Sequence, residues 1–147
     1  MTLPSQFKKD NAENIFIYHY VEEMIASYGK YINDIYDDED ITKSELPFLI
    51  RIRYSDKTTQ KELVELFKVS EGYTAKLLRK FEENGYIVRK EDPKNRRKKL
   101  VKITDEGIKK TDEIIAVIQS WEDKVTANIT EEELKTLKQI LFKIIMI

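Results

Sequence analysis

The chain has 147 residues, of which 41% are apolar and 36% are charged, a length and balance typical of one globular domain rich in helix. It has no cysteine and a single histidine, His19, which excludes disulfides and thiolate metal sites and leaves zinc too few of its preferred ligands. No segment reads as a signal peptide, a targeting sequence or a bilayer-spanning run. We therefore expect a cytoplasmic protein that does not contact a membrane.

The net charge of −1 conceals an uneven distribution along the chain. Residues 70–103 carry eleven Lys and Arg against five Asp and Glu, whereas residues 1–69 carry nine against thirteen and residues 104–147 carry six against nine. Screening over about 8 Å at physiological salt weakens the influence of distant acids. The basic block can therefore attract a polyanion although the whole chain is slightly acidic.

The first predicted element is a long helix over residues 11–37, capped by Asp10 or Asn11. Its apolar residues recur at steps of three and four, and these residues are Ile17, Val21, Met24, Tyr28, Ile32 and Ile35. A helix this amphipathic must bury one face. The acidic run 37–40 ends the helix and is expected to be a solvated linker rather than a metal site, because it lacks the spacing of a calcium loop.

The stretch 42–45 opens a second helix, in which Pro47 is tolerated because the first turn needs no internal amide donors. The expected core residues of this helix are Phe48, Leu49 and Ile52. Arg51 and Arg53 have two interpretations, since each could be solvated or could hold an anion, and solvation is the more common state.

Two short helices follow. Thr59 and Glu62 form a capping box at the start of the first, and Ser70 is a good N-cap for the second, which runs to Asn84 and Gly85. One side of this second helix is apolar, with Thr74, Leu77, Leu78 and Phe81; the other carries Gly72, Lys76, Arg79 and Glu83. A small residue near the N-terminus and basic residues further along suit a helix in the major groove, although a solvated face is the alternative.

The next segment predicts a β-hairpin with a basic loop. Two β-prone runs, 86–89 and 100–103, enclose a polar loop whose cations are Lys94, Arg96, Arg97, Lys98 and Lys99. Such a cluster repels itself unless a polyanion meets it. The alternative is a charged edge that protects an exposed strand from pairing.

Two helices complete the chain. Thr104 caps the first, which runs from Asp105 toward Ala127, and Thr130 with Glu133 forms a capping box for the second. The run 140–147 is too apolar to lie exposed to solvent. We therefore expect the terminal helices to pack together and with a second copy of the chain; the alternative is a monomer with a large helical cap.

These features together resemble the MarR-type winged-helix transcription regulators. The resemblance rests on the two short helices, on residues 82–89, and on DPKNRR at 92–97 followed by VKITDEG at 101–107. The wing of that family usually reads D-x-R ahead of V-x-L-T-x-x-G. In this chain Asn95 stands in place of the acidic residue and Ile103 in place of the leucine.

The resemblance implies a mainly α fold with a small β-hairpin wing, as a single domain over 1–147. A winged helix-turn-helix lobe at 42–104 binds DNA, and dimerisation helices at 11–37 and 105–147 flank it. The implied function is a sequence-specific transcription regulator, a homodimeric repressor acting on a pseudo-palindromic operator in double-stranded DNA. The alternative is a winged-helix protein-interaction module. An enzyme is not expected, because the chain has no phosphate loop and no set of residues for a catalytic triad.

Candidate residues follow for each role. The DNA-binding candidates are Ser70, Gly72, Tyr73, Lys76, Arg79, Lys80, Lys94, Asn95, Arg96, Arg97 and Lys98. Lys76 is the candidate for a base contact in the major groove, and by resemblance Arg97 enters the minor groove. The dimerisation candidates are Ile17, Val21, Leu137, Ile140, Leu141, Ile144 and Ile145. No metal ligand, cofactor or catalytic residue is expected.

A small-molecule effector is a further expectation from the resemblance. Family members often respond to aromatic or phenolic ligands bound between the dimer helices and the DNA-binding lobe. The first predicted helix has tyrosines that could line such a site, namely Tyr18, Tyr20, Tyr28, Tyr31 and Tyr36. A stripe of aromatic side chains is more often core or dimer interface than ligand pocket.

Overall fold

The computed structural model describes residues 2–147. Its elements in chain order are a 3₁₀ helix (Lys9–Asn14), α1 (Ile17–Ile35), α2 (Leu46–Arg53), β1 (Thr58–Thr59), α3 (Gln60–Phe67), α4 (Glu71–Glu83), β2 (Ile87–Asp92), β3 (Asn95–Ile103), α5 (Asp105–Val125) and α6 (Glu131–Ile145). The predicted fold class, mainly α with a small β wing, is confirmed. Among residues 2–147, no helix has both the length and the apolar character that a bilayer crossing requires.

The chain divides into two compact units, and the division falls inside α2. The first unit ends at Phe48 and the second comprises Leu49–Ile147. The expectation of a single domain over 1–147 stays a prediction.

In the first unit, the predicted helix over 11–37 is wrong at its start. The chain instead forms the 3₁₀ helix Lys9–Asn14, and then Ile15 and Phe16 adopt extended conformations before α1 begins. Asn11 does not cap α1, because α1 begins only at Ile17; the side-chain amide nitrogen of Asn11 donates instead to the carbonyl of Gln6 at 2.9 Å. Ile15 is buried, and α1 begins without a side-chain cap. The extended residues Ile15 and Phe16 therefore interrupt what the periodicity predicted as a continuous helix.

The acidic run after α1 folds into a tight turn around a buried residue. The Asp38 carboxylate accepts hydrogen bonds from the backbone amides of Asp40 (2.8 Å) and Ile41 (3.1 Å). The Tyr36 hydroxyl donates to the Ile41 carbonyl at 3.0 Å, and the Ile41 side chain is fully buried. This run is therefore an ordered turn, and Asp37, Glu39 and Asp40 are exposed in it, as expected of a solvated linker.

The second unit has a three-stranded antiparallel sheet in the order β1-β3-β2. β1 was not predicted, and it pairs Thr58 with Val101 and Thr59 with Leu100. The most deeply buried apolar side chains of this unit are Leu49, Ile52, Leu63, Leu78, Phe81, Ile87, Val101 and Ile114. This core fixes the faces of α3 and α4, so their polar faces point away from it.

Three local features connect α4, the sheet and α5. Gly85 has a φ of 79° and ends α4 in the left-handed conformation that glycine tolerates. The Thr104 hydroxyl donates to the Gly85 carbonyl at 2.5 Å and accepts from the Gly107 amide at 3.1 Å, which caps α5 as predicted. A Cβ at Gly107 would lie 2.2 Å from the carbonyl oxygen of Tyr86. Residue 107 must therefore be glycine for α5 to start this close to the strand.

Arg53 is not free in solvent, although solvation was its more common interpretation. Its guanidinium Nη1 lies 2.5 Å from the Asp112 carboxylate and 2.9 Å from the Thr111 hydroxyl. The anion it holds belongs to α5 of the same chain.

The predicted capping box of α6 is confirmed. The Thr130 hydroxyl accepts from the Glu133 amide at 3.1 Å, and the Glu133 carboxylate accepts from the Thr130 amide at 2.8 Å. An ion pair between Lys138 of α6 and Glu122 of α5 joins the two last helices. Outside these contacts, α6 leaves most of its apolar side chains exposed, including Leu137, Ile140, Leu141, Phe142 and Ile145.

Candidate nucleic-acid interface

The candidate interface contains two short helices, α3 and α4, and a side-chain cap stabilises the start of each helix. Thr59 and Glu62 form the predicted capping box of α3, with hydrogen bonds of 3.2 and 3.1 Å. Lys68 then reverses the chain at a φ of 51°, a left-handed conformation that is uncommon for a residue with a side chain. The Ser70 hydroxyl accepts from the Tyr73 amide at 3.1 Å and begins α4. The hydroxyl proton of Ser70 stays available for a further acceptor.

The two faces of α4 are as predicted. Thr74, Leu77, Leu78 and Phe81 are buried. The opposite face is exposed at Gly72, Tyr73, Lys76 and Arg79, whereas Lys80 is half-buried. No atom lies within 4 Å of the position that a Cβ on Gly72 would occupy. The first turn of α4 is therefore open to the close approach of a ligand.

The wing differs from its prediction in the length of its strands. Residues 91–99 were expected to form a polar loop, but β2 continues to Asp92 and β3 begins at Asn95, so only Pro93 and Lys94 form the tip. Arg96, Arg97 and Lys98 therefore lie on a strand. Opposite charges support the longer hairpin, because Glu91 pairs directly with Lys99 across the strands.

Two side chains close the turn of the wing. The Asp92 carboxylate accepts from the Lys94 amide at 2.9 Å, and the Asn95 amide oxygen accepts from the backbone N–H of Arg97 at 3.2 Å. Asn95 thus orients the backbone before Arg97. Residues 94–99 are all exposed, so the wing carries its cations into solvent on both faces.

A groove of about 590 Å³ separates the wing from the first turns of α3 and α4. It is lined by Thr59, Gln60, Lys61, Glu71, Asn95, Arg97, Lys98 and Lys99. The groove exists because β1 ends at Thr59, opposite Leu100, and the rest of β3 extends past it. Four cations and one carboxylate line the groove, which makes it favourable for a polyanion.

The groove also adds candidate interface residues that the sequence did not indicate. Gln60 and Lys61 were not among the candidates, and Lys99 was named only as a cation of the predicted loop, although all three share the groove with Arg97 and Lys98. The available signal was the β-branched pair at 58–59, whose pairing with β3 aligns the start of α3 with the basic part of the wing.

An ion pair connects the end of α4 to the wing. Arg89 on β2 donates from Nε and Nη2 to the two carboxylate oxygens of Glu82, at 3.0 and 3.2 Å. This double hydrogen bond lowers the pKa of Glu82 and raises the pKa of Arg89. Because Arg89 is engaged with Glu82, it is not among the cations that the wing offers to a ligand.

The dimerisation candidates are exposed in the single chain. Ile17 is 64% and Val21 37% exposed on α1. The α6 candidates Leu137, Ile140, Leu141, Ile144 and Ile145 are between 39% and 80% exposed. Apolar side chains at this exposure favour an interface with another molecule.

The tyrosines proposed for an effector site have different environments. The Tyr20 hydroxyl donates to the Ala12 carbonyl at 2.7 Å, and the Tyr36 hydroxyl holds the turn at Ile41, so these two support local structure. Tyr18 is exposed, and its hydrogen bond with Glu22 raises the pKa of the phenol. Burial raises the pKa of Tyr28. Within residues 2–147, no group of three or more His, Asp or Glu is placed to hold a metal ion.

Known proteins resemble this chain in both sequence and fold. Residues 41–99 match the model of the MarR family. The HTH-type transcriptional regulator BilQ of Clostridium symbiosum (strain WAL-14163) is 31% identical over 106 residues, which cover 72% of this chain and 74% of BilQ.

Two solved structures extend the likeness over most of the chain. A crystal structure of MarR is 28% identical and superposes with a TM-score of 0.73, covering 95% of this chain and 92% of that one. A structure of the multiple antibiotic resistance repressor MarR is 25% identical, also with a TM-score of 0.73, covering 88% of this chain and 95% of that one. The chain belongs to the MarR family of transcription regulators, which are not enzymes.

Proposed function

We propose that this regulator is a homodimer that binds a pseudo-palindromic operator and represses transcription. The observation that carries the proposal is the groove beside the wing, which brings Arg97, Lys98 and Lys99 next to the first turns of α3 and α4. Residues from one strand and two helices, which lie apart in the sequence, thereby form one continuous basic surface. Such a surface can contact several phosphates of one duplex at the same time.

Each side chain of this surface has a role in the proposal. Lys76 projects from the exposed face of α4 and contacts a base edge in the major groove, and Gly72 and Tyr73 lie against the same groove. Phosphates are held by Ser70, Arg79, Lys80, Lys61 and Lys99. Arg97 enters the minor groove, with Lys94, Asn95, Arg96 and Lys98 beside it.

The dimer follows from the exposed apolar side chains of α1 and α6. Two-fold symmetry of the protein then explains the symmetry of the operator. Repression is proposed because one structural neighbour is named a multiple antibiotic resistance repressor. The proposal also includes release from DNA by a small aromatic ligand. It places the protein in the cytoplasm, because a transcription regulator acts where the chromosome lies.

Selection of duplexes from a random library by the full-length protein tests this function. We expect an enriched duplex with inverted half-sites. The logarithm of its binding constant should fall linearly with the logarithm of salt, at about 0.9 per phosphate neutralised. A winged-helix protein-interaction module would enrich no duplex, and its binding to DNA would not depend on salt in this way. A lack of enrichment or a lack of salt dependence would overturn the proposal.

A further inference from the structure

Arg53, at the end of α2, contacts the first two turns of α5 through three groups, two of which belong to the second turn. Its Nη1 lies 3.0 Å from the Ile108 carbonyl, 2.9 Å from the Thr111 hydroxyl and 2.5 Å from the Asp112 carboxylate. The Thr111 side chain is fully buried, and its hydroxyl lies 2.8 Å from the Gly107 carbonyl oxygen, to which it donates. The guanidinium therefore meets a preformed set of acceptors, although 21% of the Arg53 side chain stays exposed.

α5 is already attached to the lobe at its first residue. The Thr104 amide donates to the Tyr86 carbonyl at 3.0 Å, and the Thr104 hydroxyl donates to the Gly85 carbonyl. Gly107 packs directly on the Tyr86 backbone. These contacts all lie at the start of the helix, so by themselves they form one point about which α5 can pivot.

Arg53 supplies a second point of attachment from a different element. Two points separated along a helix fix its direction, whereas a single point fixes only its position. Burial of Ile114 adds stability, but apolar contact is not directional. α5 has 21 residues and is therefore about 30 Å long, so a small change of direction at Arg53 moves its far end by several ångströms.

We propose that Arg53 is a positioning residue, which sets the direction in which α5 leaves the DNA-binding lobe. The inference rests on the proposed dimeric function in one respect: if α5 and α6 join two copies, that direction fixes the distance between the two copies of α4, which the proposal places in the major groove. Arg53 would then determine which spacing of operator half-sites the dimer accepts, without touching DNA itself.

The first test measures this direction without DNA. Because the chain has no cysteine, Glu83→Cys on α4 and Ser120→Cys on α5 can carry two spin labels on exposed positions. The labelled chain is diluted into an excess of unlabelled chain, so that the measured distance lies within one chain whether or not it dimerises. We expect Arg53→Met, which keeps the apolar stem, and Asp112→Ala to broaden the distribution of distances.

Arg51→Ala is the matched control, because Arg51 lies on the same helix with an exposed side chain. Its distance distribution should equal that of the parent. Should Arg53→Met fail to fold, Asp112→Ala decides the test, since the Asp112 side chain is 59% exposed and its removal leaves no cavity. Narrow distributions in every folded variant would overturn the proposal.

The second test uses the duplex that the parent protein selects, with base pairs inserted or removed singly between its half-sites. Arg53→Met should weaken binding at the parent spacing by about 2- to 30-fold and should flatten the dependence of affinity on spacing. A purely structural role would weaken binding equally at every spacing, and that outcome would refute the positioning role. Failure of the parent to select any duplex would count against the proposed function alone, because the spin-label test does not depend on it.

Discussion

Gly107 lies where the first turn of α5 presses on the backbone of Tyr86, and no side chain fits there. A methyl group would meet the Tyr86 carbonyl oxygen at 2.2 Å and the Ile103 side chain at 2.7 Å. We expect Gly107→Ala to lower the free energy of unfolding by about 1–3 kcal/mol, the usual cost of overpacking. Gly72→Ala is the matched control, since its Cβ meets nothing within 4 Å, and it should be neutral or stabilising by up to about 1 kcal/mol. Urea unfolding at one protein concentration measures both, and equal midpoints would contradict the steric argument.

At the same scale, the roles proposed for Lys76 and Arg79 separate base recognition from phosphate binding. Both are exposed on α4, but Lys76 is nearer the open first turn. Lys76→Ala should reduce discrimination between the selected duplex and random DNA by about 1–3 kcal/mol. Arg79→Ala should weaken all duplexes alike and lower the salt slope by about one. Fluorescence anisotropy at several salt concentrations provides both quantities, and equal losses of discrimination would refute this division of roles.

At the scale of elements, the Glu82–Arg89 pair joins α4 to the wing. Its hydrogen bonds lower the pKa of Glu82 below the ordinary value of 4.5. The pair therefore stabilises the fold above that ordinary pKa, and its contribution disappears as the pH falls through the lowered folded pKa. Because the Glu82 side chain is 41% exposed, Glu82→Gln should cost only about 0.2–1 kcal/mol at neutral pH.

The pH dependence of this loss is the more diagnostic measurement. The difference in unfolding free energy between the parent and Glu82→Gln should vanish in acid, below the lowered pKa. Glu113→Gln is the control, because its ion pair is longer, at 3.9 Å, and its side chain is 71% exposed. A difference that persisted unchanged in acid would show that the ionised carboxylate is not the stabilising group.

For the whole molecule, the exposed apolar surface of α6 predicts association of two copies. Ile140 is 49% exposed in the single chain, so Ile140→Glu should leave a monomer intact but place a charge in a dimer interface. We expect the dissociation constant of the dimer to be at least about tenfold larger than that of the parent. Ala127→Glu, on an exposed residue between α5 and α6, should leave the dimer unchanged. Sedimentation measures both variants, and an unaltered Ile140→Glu dimer would remove α6 from the interface.

Most elements of this fold could be predicted because their signals are local. The capping boxes at Thr59 and Thr130 each need only two residues three positions apart, and both form as predicted. The buried face of α4 follows from helical periodicity, since one turn of the helix already determines which side chains lie together. The family resemblance also predicted how the helices are arranged around the wing, which the local motifs alone did not indicate. The sequence by itself therefore determined most of the helices, the two strands of the wing and which side of α4 is exposed, but neither β1 nor the 3₁₀ helix.

The tertiary structure decided what depends on contacts between distant residues. Ile15 becomes buried, and the first helix begins only at Ile17, later than its pattern indicates. The pairing of Thr59 with Leu100 aligns the groove that adds Lys61 and Lys99 to the proposed interface. Arg53 meets Asp112, which lies 59 positions further along the chain. No sequence window contains both partners of such pairs, and only the closed core brings them within hydrogen-bond distance.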